Sequence, residues 1–114
     1  MRPHIVPPGE GERFGNVEFL ARTKHTPRFN VGWIEIVAGR ELEQHVHAGE
    51  DDAFLITEGE LTFTFGDELY VAGPGTFVLV PPGVSHGFAN HGDLPVRMLN
   101  IHAPGGFDNR VEAS

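Results

Sequence analysis

A chain of 114 residues is long enough for one packed domain and too short for two, since separate cores usually form only in much longer chains. Its 16 acidic and 8 basic residues leave a formal charge of −8, and an acidic surface repels phosphate backbones and anionic lipids, which argues against nucleic-acid and membrane partners. The chain contains no cysteine, so disulfides, thiolate catalysis and cysteine-ligated metal sites are excluded.

Glycine and proline separate the apolar stretches of the chain. The 15 Gly and 9 Pro residues fall between short runs rich in Val, Ile, Phe and Thr, which is typical of short strands joined by tight turns. Residues 1–15 show no hydrophobic period and are expected to form an irregular arm ahead of a single barrel domain over residues 16–114. Strands are then predicted, in chain order, over residues 16–22, 29–38, 43–47, 53–57, 60–66, 68–72, 76–80, 86–90 and 95–102.

The stretch 60–66 shows the strand pattern most clearly. Leu61, Phe63 and Phe65 alternate with two threonines, which is the period-two pattern of a half-buried strand. Several such strands, with no convincing helix among them, predict an all-β antiparallel sandwich or barrel.

Three histidines and one aspartate stand at positions that favour a metal site. His45 and His47 are two residues apart on a predicted strand, so their side chains project from one face with Cα atoms about 7 Å apart. Asp52 lies at the start of the next strand and His86 at the start of a later one. Pairing of these strands inside a barrel would bring together three nitrogens and one carboxylate oxygen. Such a set suits a divalent transition metal (Fe, Mn, Ni, Zn or Cu) rather than magnesium or calcium.

The pair of histidines is a weak signal by itself, because two histidines on one strand of an acidic protein are also typical of an ordinary polar surface. The residues around them strengthen it. The first segment has Gly39, His45, His47, Asp52 and Gly59 separated by five, one, four and six residues. The second segment has its marked residues separated by five, one, two and three residues: Gly75, Pro81, Gly83, His86 and Asn90.

Together the two segments resemble the two motifs of the cupin superfamily, Gx5HxHx3–4Ex6G and Gx5PxGx2Hx3N. The resemblance covers Gly39 to Asn90 and implies a double-stranded β-helix, or jelly-roll barrel, with one divalent metal ion on its inner face. The marked glycines, the proline and Asn90 are expected to shape turns. One marked position departs from the motif, because Asp52 stands where the family has glutamate.

The shorter side chain of Asp52 leaves two roles open. It is a fourth metal ligand if it reaches the ion. Otherwise His45, His47 and His86 hold the ion together with water, and the carboxylate accepts a hydrogen bond beside the ion or acts as a base. Glu50 is one position too early for the motif and belongs with other acidic residues that are expected to be solvated: Glu41, Glu43 and Asp51.

The remaining histidines, several apolar residues and two arginines have structural interpretations. Solvated or structural roles are expected for His4, His25, His91 and His102, with His102 the best exception because a late strand would aim it at the cavity. Arg22 and Arg97 are expected to be solvated rather than to recognise a substrate carboxylate. Six apolar residues are either plain core or cavity lining, with Phe88 the best candidate for lining: Phe54, Ile56, Phe63, Phe77, Phe88 and Met98.

Two classes of function follow from the resemblance. The first is a metal-dependent oxidoreductase of dioxygenase type, or a Lewis-acid isomerase or lyase, acting on a small organic acid, phenol or sugar. The second is a barrel that binds or senses a small ligand without catalysis, and the fold does not choose between them. No further cofactor is expected. A homodimer is expected, as is common among cupins, because a partner would cover the arm and the outer strands. No apolar stretch opens the chain as a secretory signal would, so the cytoplasm is the default location.

Overall fold

Ten strands and one short helix make up the computed structural model, which describes residues 2–114. In chain order the elements are β1 Glu12–Phe14, β2 Val17–Ala21, β3 Asn30–Ile36, β4 Glu41–His45, β5 Asp51–Glu58, β6 Leu61–Phe65, β7 Glu68–Ala72, β8 Phe77–Val80, β9 His86–Ala89, β10 Val96–Ala103 and α1 Phe107–Glu112.

The strands form two sheets with antiparallel pairings throughout. The six-stranded sheet has the order β1-β2-β3-β10-β5-β8, and the four-stranded sheet has the order β4-β9-β6-β7. The prediction of an all-β antiparallel architecture is therefore confirmed. The edge strands are β1 and β8 in the six-stranded sheet and β4 and β7 in the four-stranded sheet.

Strand β10 shows how side-chain alternation places the polar site. Its residues alternate between buried and half-buried along the whole strand, because successive side chains point to opposite faces. The inward series begins with the apolar residues Val96 and Met98 and ends with the polar residues Asn100 and His102. The apolar core therefore fills one end of the space between the sheets, and polar side chains gather at the other.

Two of the predicted turn residues show why their identities matter. Gly59 has a φ of +80°, and a Cβ atom there would lie 2.8 Å from the carbonyl oxygen of Pro95, so only glycine fits. Asn90 holds a corner, since its side-chain amide donates to the carbonyl of Ile36 at 2.9 Å and accepts from the backbone of Gly92 at 3.0 Å. Both residues shape the scaffold, as the sequence predicts.

The segment 1–15 was expected to be irregular, but part of it is regular because it contains β1. This strand pairs with β2, with Glu12 opposite Phe19, and extends the six-stranded sheet by one edge strand. Met1 lies outside the described residues. Three residues are too few to show a hydrophobic period, so the sequence carries no signal for this strand.

The helix α1 corrects the expectation of a chain without helix. Tertiary contacts hold it: Asp108 is buried and accepts hydrogen bonds from Thr23 Oγ1 at 2.6 Å and Arg22 Nε at 2.9 Å. Asn30 Oδ1 accepts from the backbone of Asp108 at 3.1 Å. A six-residue helix is too short to be stable alone, so its sequence gives little local signal. Within residues 2–114, no helix has the length and apolar character that a membrane span requires.

Candidate metal centre

Two strands of the four-stranded sheet and the loop after β4 bring three histidines together. The pairing of β4 with β9 places His45 opposite His86, and their ring centroids are 4.3 Å apart. The strand predicted over 43–47 ends at His45, because the carbonyl of His47 accepts a hydrogen bond from the backbone of Gly83 instead of joining the sheet. The ring of His47 nevertheless lies 5.3 Å from that of His86.

Asp52 meets this cluster from the opposite sheet. It is the second residue of β5, and its buried side chain places Oδ2 3.0 Å from Nε2 of His86 and 3.5 Å from Nε2 of His47. One ligand atom from each of four residues lies within 4.8 Å of the others: His45, His47, Asp52 and His86. The structure thus brings together all four side chains that the sequence predicted for the metal site.

The backbone fixes which ring nitrogen of two histidines faces the cluster. Nδ1 of His86 lies 2.9 Å from the carbonyl oxygen of Val84, and Nδ1 of His45 lies 3.0 Å from that of Glu43. A carbonyl can only accept, so each Nδ1 is the donor and each neutral ring presents a lone pair at Nε2. Metal-ligating histidines are commonly oriented in this way, so the donor set fits a divalent transition ion.

Protons compete with a metal to different extents at these rings. Burial lowers the pKa of His47 below its ordinary value, and the attraction of Asp52 does not offset this effect. Burial acts in the same direction at His86, but the charged ring donates from Nε2 to Asp52 and from Nδ1 to the Val84 carbonyl, and these two hydrogen bonds outweigh burial and raise its pKa. Of these two rings, His86 is therefore the one from which a proton is harder to displace.

The contacts of Asp52 divide its two oxygens between different neighbours. Oδ1 accepts a hydrogen bond from Asn100 Nδ2 at 2.7 Å and lies 3.2 Å from Nε2 of His102, both on β10. Oδ2 faces the imidazoles of His47 and His86. Asn100 thus orients the carboxylate and leaves one oxygen toward the cluster.

Two residues extend the site beyond the predicted set. His102 is buried, as its position on a late strand allowed, and its Nδ1 lies 2.7 Å from Oε1 of Glu50. Arg110 donates to the same oxygen at 2.7 Å, and the ring of Phe107 stacks on His102 at 3.9 Å. The expectation that Glu50 is solvated is wrong, since its side chain is only 12% exposed. Period-two alternation along β10 could have identified His102, but nothing in the sequence links Glu50 to partners more than fifty residues away.

A cavity of about 200 Å³ lies beside the cluster. Phe54 and Phe88 line it, as does Phe107 of α1, which no pattern in the sequence marks as cavity lining. Ile56, Phe63 and Met98 are instead fully buried core. Phe77 is neither core nor lining, because it is 59% exposed on the outer face of β8. Apart from the imidazoles, Asp52 and Asn100, the cavity wall is formed by apolar side chains: Ile34, Leu42, Phe54, Phe88 and Phe107.

The other histidines and arginines lie away from the cavity. His4 and His25 stack on each other at 3.7 Å, and His91 is exposed, in agreement with structural or solvated roles. Arg97 is half-buried and lies 4.0 Å from the ring of Trp33. The expectation that Arg22 is solvated is wrong, because Arg22 is 6% exposed and bonded to three carboxylates, those of Glu12, Asp108 and Glu112.

The fold and the cluster together define a small β-barrel protein with a histidine-rich site on its inner face. Residues 32–102 match the family model of the cupin domain, and the chain belongs to this family. The double-stranded β-helix is confirmed by a solved structure of a Klebsiella pneumoniae protein with such a domain. The two share a TM-score of 0.70 at 22% identity, over 90% of this chain and 85% of that one.

Two curated relatives extend the comparison. An uncharacterised protein of Streptomyces coelicolor is 30% identical over 95 residues, which cover 83% of this chain and 89% of that protein. Quercetin 2,3-dioxygenase of Bacillus subtilis is 28% identical over 91 residues, which cover 75% of this chain and 27% of the enzyme. Three curated relatives are much longer proteins, of which the matched region spans 16% to 27%.

Proposed function

We propose that the chain binds one divalent transition metal ion through His45, His47, Asp52 and His86 and acts as a metal-dependent oxidoreductase of dioxygenase type. The observation that carries the proposal is the convergence of three imidazoles and one carboxylate oxygen within 4.8 Å. Three members of this set, His45, His47 and Asp52, line an apolar cavity. When bound, such an ion polarises a substrate oxygen as a Lewis acid and, if it is redox-active, supplies electrons for dioxygen chemistry.

The cavity favours a small, largely apolar substrate that carries an oxygen ligand. Three phenylalanines, Phe54, Phe88 and Phe107, can contact an aromatic or alicyclic ring, and about 200 Å³ admits only a small molecule. The residues that line this cavity include no lysine or arginine, while Asp52 contributes negative charge. A neutral phenol or enol therefore suits the site better than a phosphorylated sugar or an organic acid.

His102 is the residue that we assign to accept a proton from such a substrate. Its Nδ1 donates to Glu50, so Nε2 carries the lone pair of the neutral ring. This atom lies 3.2 Å from Oδ1 of Asp52, and the carboxylate stabilises the charged ring once it has accepted a proton. Burial lowers the pKa of His102 below its ordinary value, so the ring is neutral near neutral pH. Glu50, held in turn by Arg110, orients the ring in the manner of a carboxylate behind a catalytic base.

The same features also fit two other activities. A Lewis-acid isomerase or lyase would use the same ligands and the same base without dioxygen. A barrel that binds or senses a ligand would use the apolar cavity without turnover. The relative named quercetin 2,3-dioxygenase supports the oxidoreductase.

Oxygen uptake separates these functions. Protein purified without an affinity tag is loaded in turn with Fe, Mn, Ni, Cu or Zn and supplied with a panel of small phenols and enols. Oxygen consumption that needs both a redox-active ion and a substrate supports the oxidoreductase. Conversion of a substrate without oxygen uptake, including in the zinc-loaded protein, identifies an isomerase or lyase. Tight substrate binding with no conversion under any ion identifies a binding protein.

A further inference from the structure

A second cavity lies next to the one that borders the candidate metal centre. We call the first, whose lining includes His47 and Asp52, the metal-side cavity, and the second, whose lining includes Val111, the distal cavity. Each has a volume of about 200 Å³. The two share a wall, because four apolar residues line both of them: Ile34, Leu42, Phe88 and Phe107.

Both sheets and the helix α1 enclose the distal cavity. Val17 and Ile36 line it from the six-stranded sheet, Phe88 lines it from the four-stranded sheet, and Val111 closes it from α1. Val17, Ile36 and Phe88 are all buried. Buried apolar side chains at a cavity wall gain dispersion contacts when an apolar group enters, so the distal cavity favours an apolar occupant.

The mouth of the distal cavity carries a cation. Arg40 is exposed and belongs to the lining. Its backbone is held on both sides, since its N–H donates to the carbonyl of Val37 at 3.1 Å and its carbonyl accepts from the N–H of Asn90 at 2.9 Å. Its guanidinium forms no ion pair with a carboxylate of residues 2–114. A guanidinium at the mouth of an apolar cavity attracts a ligand with an anionic end.

The dimensions of the two cavities fit one ligand with two ring-sized parts. Ligand pockets usually measure roughly 300 to 1,000 Å³, and an apolar cavity of about 150 Å³ holds one benzene molecule. Each cavity therefore admits about one ring, and only the two together reach the range of a ligand pocket. Arg40 precedes His45 by five residues, which on a strand separates their Cα atoms by at most about 17 Å. Because both side chains extend toward the ligand, two rings in line can bridge the remaining distance.

We propose that the distal cavity binds the far end of the substrate, and that this end is an apolar ring carrying a carboxylate that pairs with Arg40. The inference rests on the proposed function, since it adds a second part to the substrate whose oxygen meets the metal centre. The reacting end remains a neutral phenol or enol, because the lining of the metal-side cavity includes no lysine or arginine. Only the far end of the substrate is charged, and the planar guanidinium of Arg40 suits a carboxylate there.

Isothermal titration calorimetry tests the inference on the zinc-loaded chain, because zinc is not redox-active and allows binding without oxidation. The probe is a biphenyl with a hydroxyl group at one end and a carboxylate at the other. We expect it to bind at least tenfold more tightly than phenol, because its second ring is buried in the distal cavity. The primary amide of the probe should bind about fivefold more weakly than the carboxylate, which is the upper range for an exposed ion pair.

A neutral substitution isolates the contribution of Arg40. Arg40→Gln should weaken the carboxylate probe about fivefold and leave the binding of the amide unchanged. Arg28→Gln is the matched control, because it removes the same charge from an exposed residue that lines neither cavity. It should leave the affinity for the probe unchanged.

A larger side chain on α1 tests the distal cavity itself. Val111 lines the distal cavity but not the metal-side cavity, so Val111→Phe should weaken the two-ring probe at least tenfold and leave phenol binding unchanged. Asn109→Phe is the control, because Asn109 is exposed on the same helix and lines neither cavity. The same titrations on the metal-free chain should show the same dependence on Arg40 and Val111, since none of the four proposed metal ligands lines the distal cavity.

The outcomes separate this inference from the proposed function. A probe that binds no more tightly than phenol, or as tightly to Val111→Phe as to the wild type, overturns the distal cavity as a binding site. Equal affinity of the probe for the wild type and Arg40→Gln, or a loss that Arg28→Gln reproduces, overturns the carboxylate end. Neither result bears on metal binding or oxygen uptake. Conversely, tight binding that depends on Arg40, without oxygen uptake under any redox-active ion, overturns the oxidoreductase and supports the distal cavity as part of a ligand site.

Discussion

Replacing Asp108 by alanine tests how α1 is held beside the candidate metal centre. The substitution removes the acceptor of three hydrogen bonds, from Arg22 Nε, Thr23 N and Thr23 Oγ1. It also leaves the buried guanidinium of Arg22 with only Glu12 and Glu112, both about half exposed, as partners. Breaking a buried ion pair by removing one partner costs about 3 to 5 kcal/mol. Because Arg22 keeps two partners, we expect the lower value, about 3 kcal/mol of unfolding free energy.

Urea unfolding measures this loss, and a neighbouring residue provides the control. Glu112 contacts the same guanidinium but its side chain is 50% exposed, so Glu112→Ala should cost at most about 1 kcal/mol. The reasoning would be refuted if Asp108→Ala lost less than about 1 kcal/mol or no more than Glu112→Ala. Far-UV circular dichroism follows the unfolding transition in both variants.

The pH dependence of the loss checks its electrostatic origin. Burial raises the pKa of Asp108, but the hydrogen bonds from Thr23 and Arg22 outweigh burial and hold the pKa below its ordinary value. A carboxyl with a depressed pKa stabilises the fold above its unfolded value of about 3.9 and loses that contribution as the pH falls below it. The difference between the wild type and Asp108→Ala should therefore shrink below about pH 4.

Three further predictions concern the metal centre and one turn. Asp52→Glu should keep or tighten metal binding and Asp52→Ala should weaken it at least tenfold in a competition titration; equal affinity in both variants would remove Asp52 from the ligand set. Ligating histidines must be neutral, so the gain in Tm on metal binding should be lost as the pH falls. The loss should begin above about pH 6.5, because the pKa of His86 is raised, and should be complete below that value. A gain that stays constant down to about pH 4 would contradict histidine ligation. In urea unfolding, Gly59→Ala should lower the free energy of unfolding by about 1 to 3 kcal/mol more than Gly66→Ala does. Both glycines have a positive φ, but only at Gly59 would the added Cβ collide with backbone atoms.

The parts of the fold that the sequence predicts are those with a local signal. Alternation of Leu61 and Phe63 with threonines predicted β6, and both residues are fully buried. The resemblance of the spaced histidines and turn residues to the cupin motifs implied that His45, His47 and His86 would meet. In the structure the three rings lie within 5.3 Å of one another, although His47 lies beyond the end of β4.

The parts that the sequence did not predict depend on contacts between distant residues. Helix α1 is held through Asp108 by Arg22 and Thr23, and Glu50 is bonded to partners on β10 and α1. Phe77 looked like core because it is large and apolar, but alternation alone does not say which face of β8 is inward. Only the register with β5 decides that Phe77 lies outside.

Metal analysis of the chain purified without an affinity tag tests the central claim most directly. After reconstitution and removal of free ion, elemental analysis should find about one divalent transition ion per wild-type chain. It should find almost none in the variant that replaces His45, His47 and His86 together by alanine. Stoichiometric metal in that variant, or none in the folded wild type, would contradict the assignment of the metal centre and the function built on it.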